Sequence, residues 1–126
     1  MSDTSSKPEV LIPSEEPPTE LMLEDLVEGE GELAAVGARV ETHYVGVSWS
    51  TGAQFDASWD SGRPLTFPLG EGVVISGWDQ GIQGMRVGGR RRITIPPHLG
   101  YGASGAGGVI KPNETLVFVV DLVSVS

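Results

Sequence analysis

Cysteine is absent from the chain, which removes disulfides, thiol nucleophiles and cysteine-ligated metals from consideration. Histidine is scarce. Only His43 and His98 occur, with no His/Glu cluster at ligand spacing, so neither a metal nor another cofactor is expected. Serines are plentiful, but none sits in a Gly-x-Ser-x-Gly turn; Ser76 precedes Gly77 with no elbow pattern around it, which argues against a serine hydrolase. The glycine-rich pieces at 100–102 and 105–108 precede no Lys-Ser/Thr pair and so make no phosphate cradle. No apolar run approaches the roughly 20 residues of a membrane span. Bases are few, eight Lys and Arg against 17 Asp and Glu, and the one basic run, Arg90-Arg91-Arg92, is short. Nucleic acid is therefore not an expected partner. The run itself reads as a solvated strand face with one intramolecular pair. The opening Met1-Ser2-Asp3-Thr4 has neither the basic nor the apolar region of a signal peptide, so a cytoplasmic protein without membrane association is the expectation.

What is present divides the chain in two. Ten of the 17 acids but only one base, Lys7, lie in residues 1–32, whereas residues 33–126 carry seven of each sign. The net charge of −9 thus belongs to the N-terminal segment. Residues 1–18 also hold Pro8, Pro13, Pro17 and Pro18 among Ser, Thr and Glu. Such a composition buries too little apolar surface to offset its ordering entropy. We expect residues 1–18 to form an acidic, proline-rich arm, disordered or loosely attached, with Val10-Leu11-Ile12 able to make one edge contact. Residues 19–126 are enough for one domain.

Leu21, Leu23 and Val27 begin the folded part. Residues 40–48 alternate β-branched and aromatic side chains, as a strand does. Further strands are expected at 54–58, at 65–70 as an edge strand broken by Pro68, at 90–96, and at 115–123, whose unbroken apolar run places it centrally. Between them, residues 72–85 have helical periodicity. Ile75, Trp78, Ile82 and Met85 share one stripe; Ser76, Asp79, Gln80, Gln83 and Arg86 share the opposite side. Gly77, Gly81 and Gly84 lie beside the apolar stripe, each costing about 0.8–1.0 kcal/mol against Ala in a helix interior. The stretch is either an ordinary core helix with tolerated glycines or a lone helix pressed into a curved sheet with Trp78 facing it. Gly88-Gly89 is expected to end it. Four or five strands and one helix give an α+β class, a half-wrapped antiparallel β-sheet curled around one short α-helix.

The eight aromatic residues, Tyr44, Trp49, Phe55, Trp59, Phe67, Trp78, Tyr101 and Phe118, fall one or two per element. They either fill the core or converge at one end of the helix. His43, in mid-strand, reads as a hydrogen-bonded structural residue.

Seven motifs then stand in register: His43-Tyr44-Val45-Gly46, Phe55-Asp56-Ala57-Ser58, Pro64-Leu65-Thr66-Phe67, Val74-Ile75-Ser76-Gly77-Trp78-Asp79-Gln80-Gly81, Met85-Arg86-Val87-Gly88, Tyr101-Gly102-Ala103-Ser104-Gly105 and Thr115-Leu116-Val117-Phe118. In this order and spacing, residues 19–126 resemble the FKBP-type peptidyl-prolyl cis–trans isomerases, the immunophilins that bind tacrolimus and rapamycin, in a small, single-domain, bacterial-like form.

The resemblance implies a half-wrapped sheet on one helix and an enzyme that accelerates rotation of X–Pro bonds and assists protein folding. It implies that Trp78 is the floor of the proline pocket, with Tyr44, Phe55 and Phe118 as walls and Val74 and Ile75 as the near rim. The Ile75 N–H and the Tyr101 hydroxyl would donate to substrate carbonyls, and Asp56 is the polar group at the mouth. Leu65, Phe67 and Ile110, the last from the flap loop, complete the substrate- and inhibitor-binding set. Implied partners are proline-containing peptides, unfolded proteins and the macrolides, bound by a monomer. Leu65 stands where the family often has Phe, which thins that wall. Arg63 is offset from the family's usual Arg, so an ion pair to Asp56 is left open. Small residues at 106–108 should loosen the flap. These departures keep an alternative in play, a proline-segment binding module or folding helper with weak turnover.

Overall fold

All the strands belong to one antiparallel sheet in the computed structural model, which describes residues 6–106 and 109–126. Strands β1 (Met22–Val27), β2 (Arg39–Ser48) and β3 (Gln54–Ala57) are followed by a single helical turn, α1 (Ser58–Ser61). Strand β4 (Leu65–Pro68), helix α2 (Ser76–Gly81), β5 (Arg90–Ile95) and β6 (Leu116–Val125) complete the chain. The sheet runs β1-β5-β6-β2-β3, and β4 pairs with the first half of the same β2 edge whose second half pairs with β3. The expected class holds, with six strands among the described residues rather than four or five. The residues 1–5 of the expected arm and the flap positions 107–108 lie outside the described residues.

Helix α2 is shorter than its periodicity implied. The apolar stripe continues past its end, with Ile82 and Met85 at 0% and 3% exposure, but the helix stops at Gly81. Gly84 has φ +88°, a left-handed conformation that turns the chain out of the helix before Met85. The glycine stripe therefore has two causes. Gly77 and Gly81 face the sheet, where a Cβ at Gly77 would lie 2.6–2.7 Å from three side-chain carbons of Ile95. Gly84 has open space around it and serves the turn. This geometry reverses the sign that helix propensity alone assigns to Gly77→Ala. Propensity gives a gain of about 0.8–1.0 kcal/mol; overpacking against Ile95 gives a loss of about 1–3 kcal/mol. We expect the loss to dominate, and a urea midpoint above wild type for Gly77→Ala would contradict that.

The concave side of the sheet holds the main core, in which Trp78 and Ile82 of the helical segment meet Ile93, Ile95, Leu116, Phe118 and Leu122. A second cluster, Val45, Val47, Ala57 and Val117, lies on the convex side with Trp49 and Trp59 packed against it. Strand β6 is thus covered on both faces, which explains its unalternating burial from Leu116 to Leu122.

Residues 6–18 run across that convex side. Val10 and Ile12 pack on the second cluster. Arg90 Nη2 donates to the Ser6 carbonyl at 2.8 Å, Lys7 Nζ to Asp60 Oδ1 at 2.7 Å, and Trp49 Nε1 to the Glu15 carbonyl at 3.1 Å. The Lys7 and Gln54 hydrogen bonds hold the Asp60 carboxyl below the usual range.

The basic run is less solvated than the face expected of it and makes two intramolecular pairs rather than one. Arg90 and Arg91 are each only 8% exposed, and each forks onto its own carboxylate. Arg90 Nε and Nη2 reach Asp121 at 2.6 and 3.1 Å on the convex side. Arg91 Nε and Nη2 reach Asp25 at 2.6 and 3.3 Å, while its Nη1 donates to the Gly81 and Gln83 carbonyls. Arg91 thereby satisfies the last carbonyl of α2 with a cation, where the helix dipole favours one. Alternation along β5 sends the two guanidinium groups to opposite faces, and register sets each opposite its acid, Arg90 across from Asp121 and Arg91 across from Asp25. His43, as expected, is structural: its Nδ1 lies 2.9 Å from Ser58 Oγ and its ring stacks on Trp59 at 4.4 Å.

Candidate active site

The aromatic residues of β2, β3, α2 and β6 converge where the N-terminal end of α2 meets the concave sheet. There a cavity of about 410 Å³ opens to the surface. Trp78, 4% exposed, lies at its base. Two rings pack edge-on against it, and a third packs edge-on against one of these. Tyr44 lies 4.9 Å from Trp78 at 79°, Phe118 5.2 Å from Trp78 at 87°, and Phe55 5.5 Å from Phe118 at 90°. Edge-to-face contacts of this kind set the ring positions through the π quadrupole.

Local backbone chemistry makes this packing possible. Gly46 pairs with Phe118 on one side and Asp56 on the other. A Cβ there would come within 2.6 Å of Phe118 Cε1 and 2.7 Å of Phe55 Cζ. The glycine of the His-Tyr-Val-Gly motif is thus the space into which two wall rings lean. Beyond the helix, the rim segment containing Gly72, Val73 and Val74 is tied down by Asp79. Its carboxylate accepts from the Gly70 and Gly72 N–H groups at 2.8 and 3.0 Å.

All eight positions expected as catalytic, Tyr44, Phe55, Asp56, Val74, Ile75, Trp78, Tyr101 and Phe118, line the cavity, as does Leu65. Phe67 and Ile110 do not. Phe67 is 2% exposed and sits behind Trp78, 5.6 Å from it, as support. Ile110 is 5% exposed and turned into the core by its bridge to Ala106. Gly72 and Val73 line the cavity without having been singled out from the sequence. Asp79, read as a polar-side residue of the helix, gave no signal of its rim contact, because the bond partners are backbone groups seven and nine residues away.

Polar groups are few. The Tyr44 hydroxyl donates to Asp56 Oδ2 at 2.7 Å. The ion pairs among the described residues are Lys7–Asp60, Arg90–Asp121 and Arg91–Asp25, so Asp56 is partnered by this tyrosine rather than by Arg63. Burial, the hydrogen bond to Asp56 and the carboxylate charge all push the Tyr44 pKa upward, which fixes the phenol as a donor. Tyr101 is 40% exposed at the lip. The Ile75 carbonyl accepts from the Trp78 and Asp79 amides of α2, while its own N–H donates to no group among the described residues. Trp78 Nε1 is buried without a hydrogen-bond partner among the described residues. Among the described residues no Ser–His pair, Lys or thiol lines the cavity, which is shaped to bind and orient an apolar ring with its flanking amides.

Comparison with known proteins agrees with this geometry. A family model described as FKBP-type peptidyl-prolyl cis-trans isomerase matches residues 30–123. An FK506-binding protein of Streptomyces anulatus is 61% identical over 120 residues, covering 94% of this chain and 97% of that protein. A probable FK506-binding protein of Corynebacterium glutamicum is 48% identical over 118 residues, with 94% and 98% covered. Among solved structures, the crystal structure of AtFKBP13 superposes with a TM-score of 0.79 at 40% identity, covering 87% of this chain and 96% of that one.

Proposed function

The chain belongs to the FKBP-type peptidyl-prolyl cis–trans isomerases, and we propose that it turns over X–Pro bonds by seating the proline ring on Trp78. The reaction is rotation about the peptide bond preceding proline. Its barrier of about 18–20 kcal/mol arises because amide resonance is lost as the bond twists. The twisted amide has a weaker C–O dipole than the planar one. An apolar, ring-lined cavity therefore penalises the planar ground state more than the twisted form, and that difference is catalysis by differential binding. Tyr44, Phe55 and Phe118 hold the proline ring laterally, and Val74 and Leu65 close the rim. The Ile75 N–H and the Tyr101 hydroxyl donate to carbonyls on either side of the bond. Asp56 acts through its charge and its hold on Tyr44; isomerisation moves no proton, so it is not a general base.

The observation that carries this reading is the convergence of four aromatic rings with two donors in one cavity. Exchange of a proline tetrapeptide, followed by NMR or by a coupled protease, tests it. Turnover should be inhibited by rapamycin or tacrolimus, the ligand class that the relatives' names indicate. An uncatalysed rate at high protein concentration would refute it. Tyr101→Phe keeps the ring and removes the hydroxyl, and is expected to cost about 0.5–1.5 kcal/mol, the net worth of one hydrogen bond. That corresponds to roughly a twofold to tenfold fall in kcat/KM. A turnover equal to wild type would remove Tyr101 from the donor pair.

Residues 19–126 form the isomerase domain and residues 1–18 an accessory segment. The protein acts as a monomer in the cytoplasm on proline-containing segments of folding chains. No helix among the described residues is long and apolar enough to cross a membrane.

A further inference from the structure

The convex side of the sheet, opposite the proline cavity, is built to hold an extended chain. Val10 and Ile12 of the arm pack inward on the second apolar cluster, whereas Leu11 between them is 68% exposed. This is the period-2 reading of an extended peptide. The body grips the arm's backbone as well as its side chains. Arg90 Nη2 takes the Ser6 carbonyl and Trp49 Nε1 takes the Glu15 carbonyl, contacts that any polypeptide could supply.

The arm leaves part of this seat unused. An open groove of about 670 Å³ is lined jointly by residues 13–17 and by Trp49, Ser50 and Glu114. Trp59, packed on the same apolar cluster but outside that groove, has its Nε1 buried without a partner among the described residues, and leaving such a donor unpaired costs free energy that a suitable carbonyl would recover.

We infer that the convex face is a second, non-catalytic binding surface for extended apolar segments of unfolded polypeptide, and that residues 6–18 occupy it until a client displaces them. The client's chemistry follows from the arm's own. It is an extended stretch with β-branched or similar apolar residues two apart, held through its backbone carbonyls. The proposal does not depend on the proline cavity, since the two surfaces lie on opposite faces of the sheet. The arm reduces apparent affinity by the fraction of molecules in which it is seated.

The three tryptophans make the test direct, because Trp49 and Trp59 report the convex face and Trp78 the cavity. In the full chain, Val10→Asp with Ile12→Asp should shift the Trp49 and Trp59 indole N–H resonances and leave Trp78 in place. Lys7→Glu, which reverses the ion pair to Asp60, is a second releasing variant and should do the same. If neither substitution moves Trp49 or Trp59, the arm is not seated there and the inference falls. Reduced, carboxymethylated α-lactalbumin, a permanently unfolded chain, should then perturb Trp49 and Trp59 in the released variants. Its affinity for them should be at least tenfold higher than for wild type, and a synthetic peptide of residues 6–18 should reverse the effect. A response confined to Trp78, or equal affinity in wild type and variants, overturns the proposal. So does a concentration-dependent shift of Trp49 and Trp59 without added client, which would make the occupant the arm of a second copy.

Discussion

Arg90→Met is expected to cost about 3–5 kcal/mol of folding stability at neutral pH, the typical loss when one partner of a buried ion pair is removed. Asp121 is 4% exposed on the central strand, and Arg90 supplies both of its charge-assisted hydrogen bonds. Without Arg90 the carboxylate is left charged in an apolar sheet. Burial already raises the Asp121 pKa, with the Arg90 hydrogen bonds and charge, and then His43, pulling against it. Removing Arg90 takes away the larger opposing influence, so the pKa rises further in the variant. A carboxyl whose folded pKa exceeds its unfolded value binds its proton more tightly when folded. Stability therefore falls as pH rises from the ordinary carboxyl range, about 3.9, through the raised folded value. The deficit of Arg90→Met should accordingly be largest at pH 7 and shrink as pH is lowered towards 4, read as denaturant midpoints across that range. His43, directly across β2 from Asp121, is the other titratable group facing it, so the series is repeated with His43→Gln in both backgrounds. The double variant Arg90→Met, Asp121→Leu should recover most of the loss, since an apolar pair can replace a buried ion pair at little cost. A deficit that stays constant or widens at low pH would show that the buried charge is not its cause.

That arginine also marks where reading the chain failed. In sequence, Arg90-Arg91-Arg92 is three like charges in a row, and local chemistry treats it as a solvent-facing run. Its partners are 31 and 66 residues away, at Asp121 and Asp25, and only strand register brings them together. The cavity was legible for the opposite reason. Its rings sit in short motifs whose order and spacing are themselves the signal, and Trp78 stands on a helical stripe readable by periodicity. The helix length was not legible, because the apolar stripe continues through Ile82 and Met85 while the helix ends at Gly81 and the chain turns away at Gly84. Phe67 and Ile110 belong to the same motif neighbourhoods as the lining residues, yet depth is not encoded in spacing. One supports Trp78 from behind and the other faces the core. Strand β1 is mostly exposed, with Met22, Leu23 and Leu26 all on the surface, so its hydrogen bonds to β5 and the Asp25–Arg91 pair, rather than an apolar face, hold it as a strand.

Trp78→Ala should combine a stability loss with a larger loss of turnover than the polar variants give. Trp78 is almost fully buried and packs against Tyr44, Phe67 and Phe118. Truncating a buried Trp costs about 3–5 kcal/mol, within the roughly 5–15 kcal/mol that a domain has, so the variant is best studied cold. For catalysis, the proline ring loses an aromatic partner worth about 0.5–1.5 kcal/mol and apolar burial worth about 1.5–3 kcal/mol. Together these predict a fall in kcat/KM of roughly 30- to 2,000-fold. Instability alone must be separated from loss of the floor, and Ile82 provides the control. It is fully buried one turn further on, in the same core, and lines no part of the cavity. Ile82→Ala should cost about 2–5 kcal/mol yet keep turnover per folded molecule near wild type. If both variants lose turnover alike, the effect is general loosening of the fold. If Trp78→Ala keeps its turnover, the proline ring does not rest on the indole and the cavity is not the seat of the reaction.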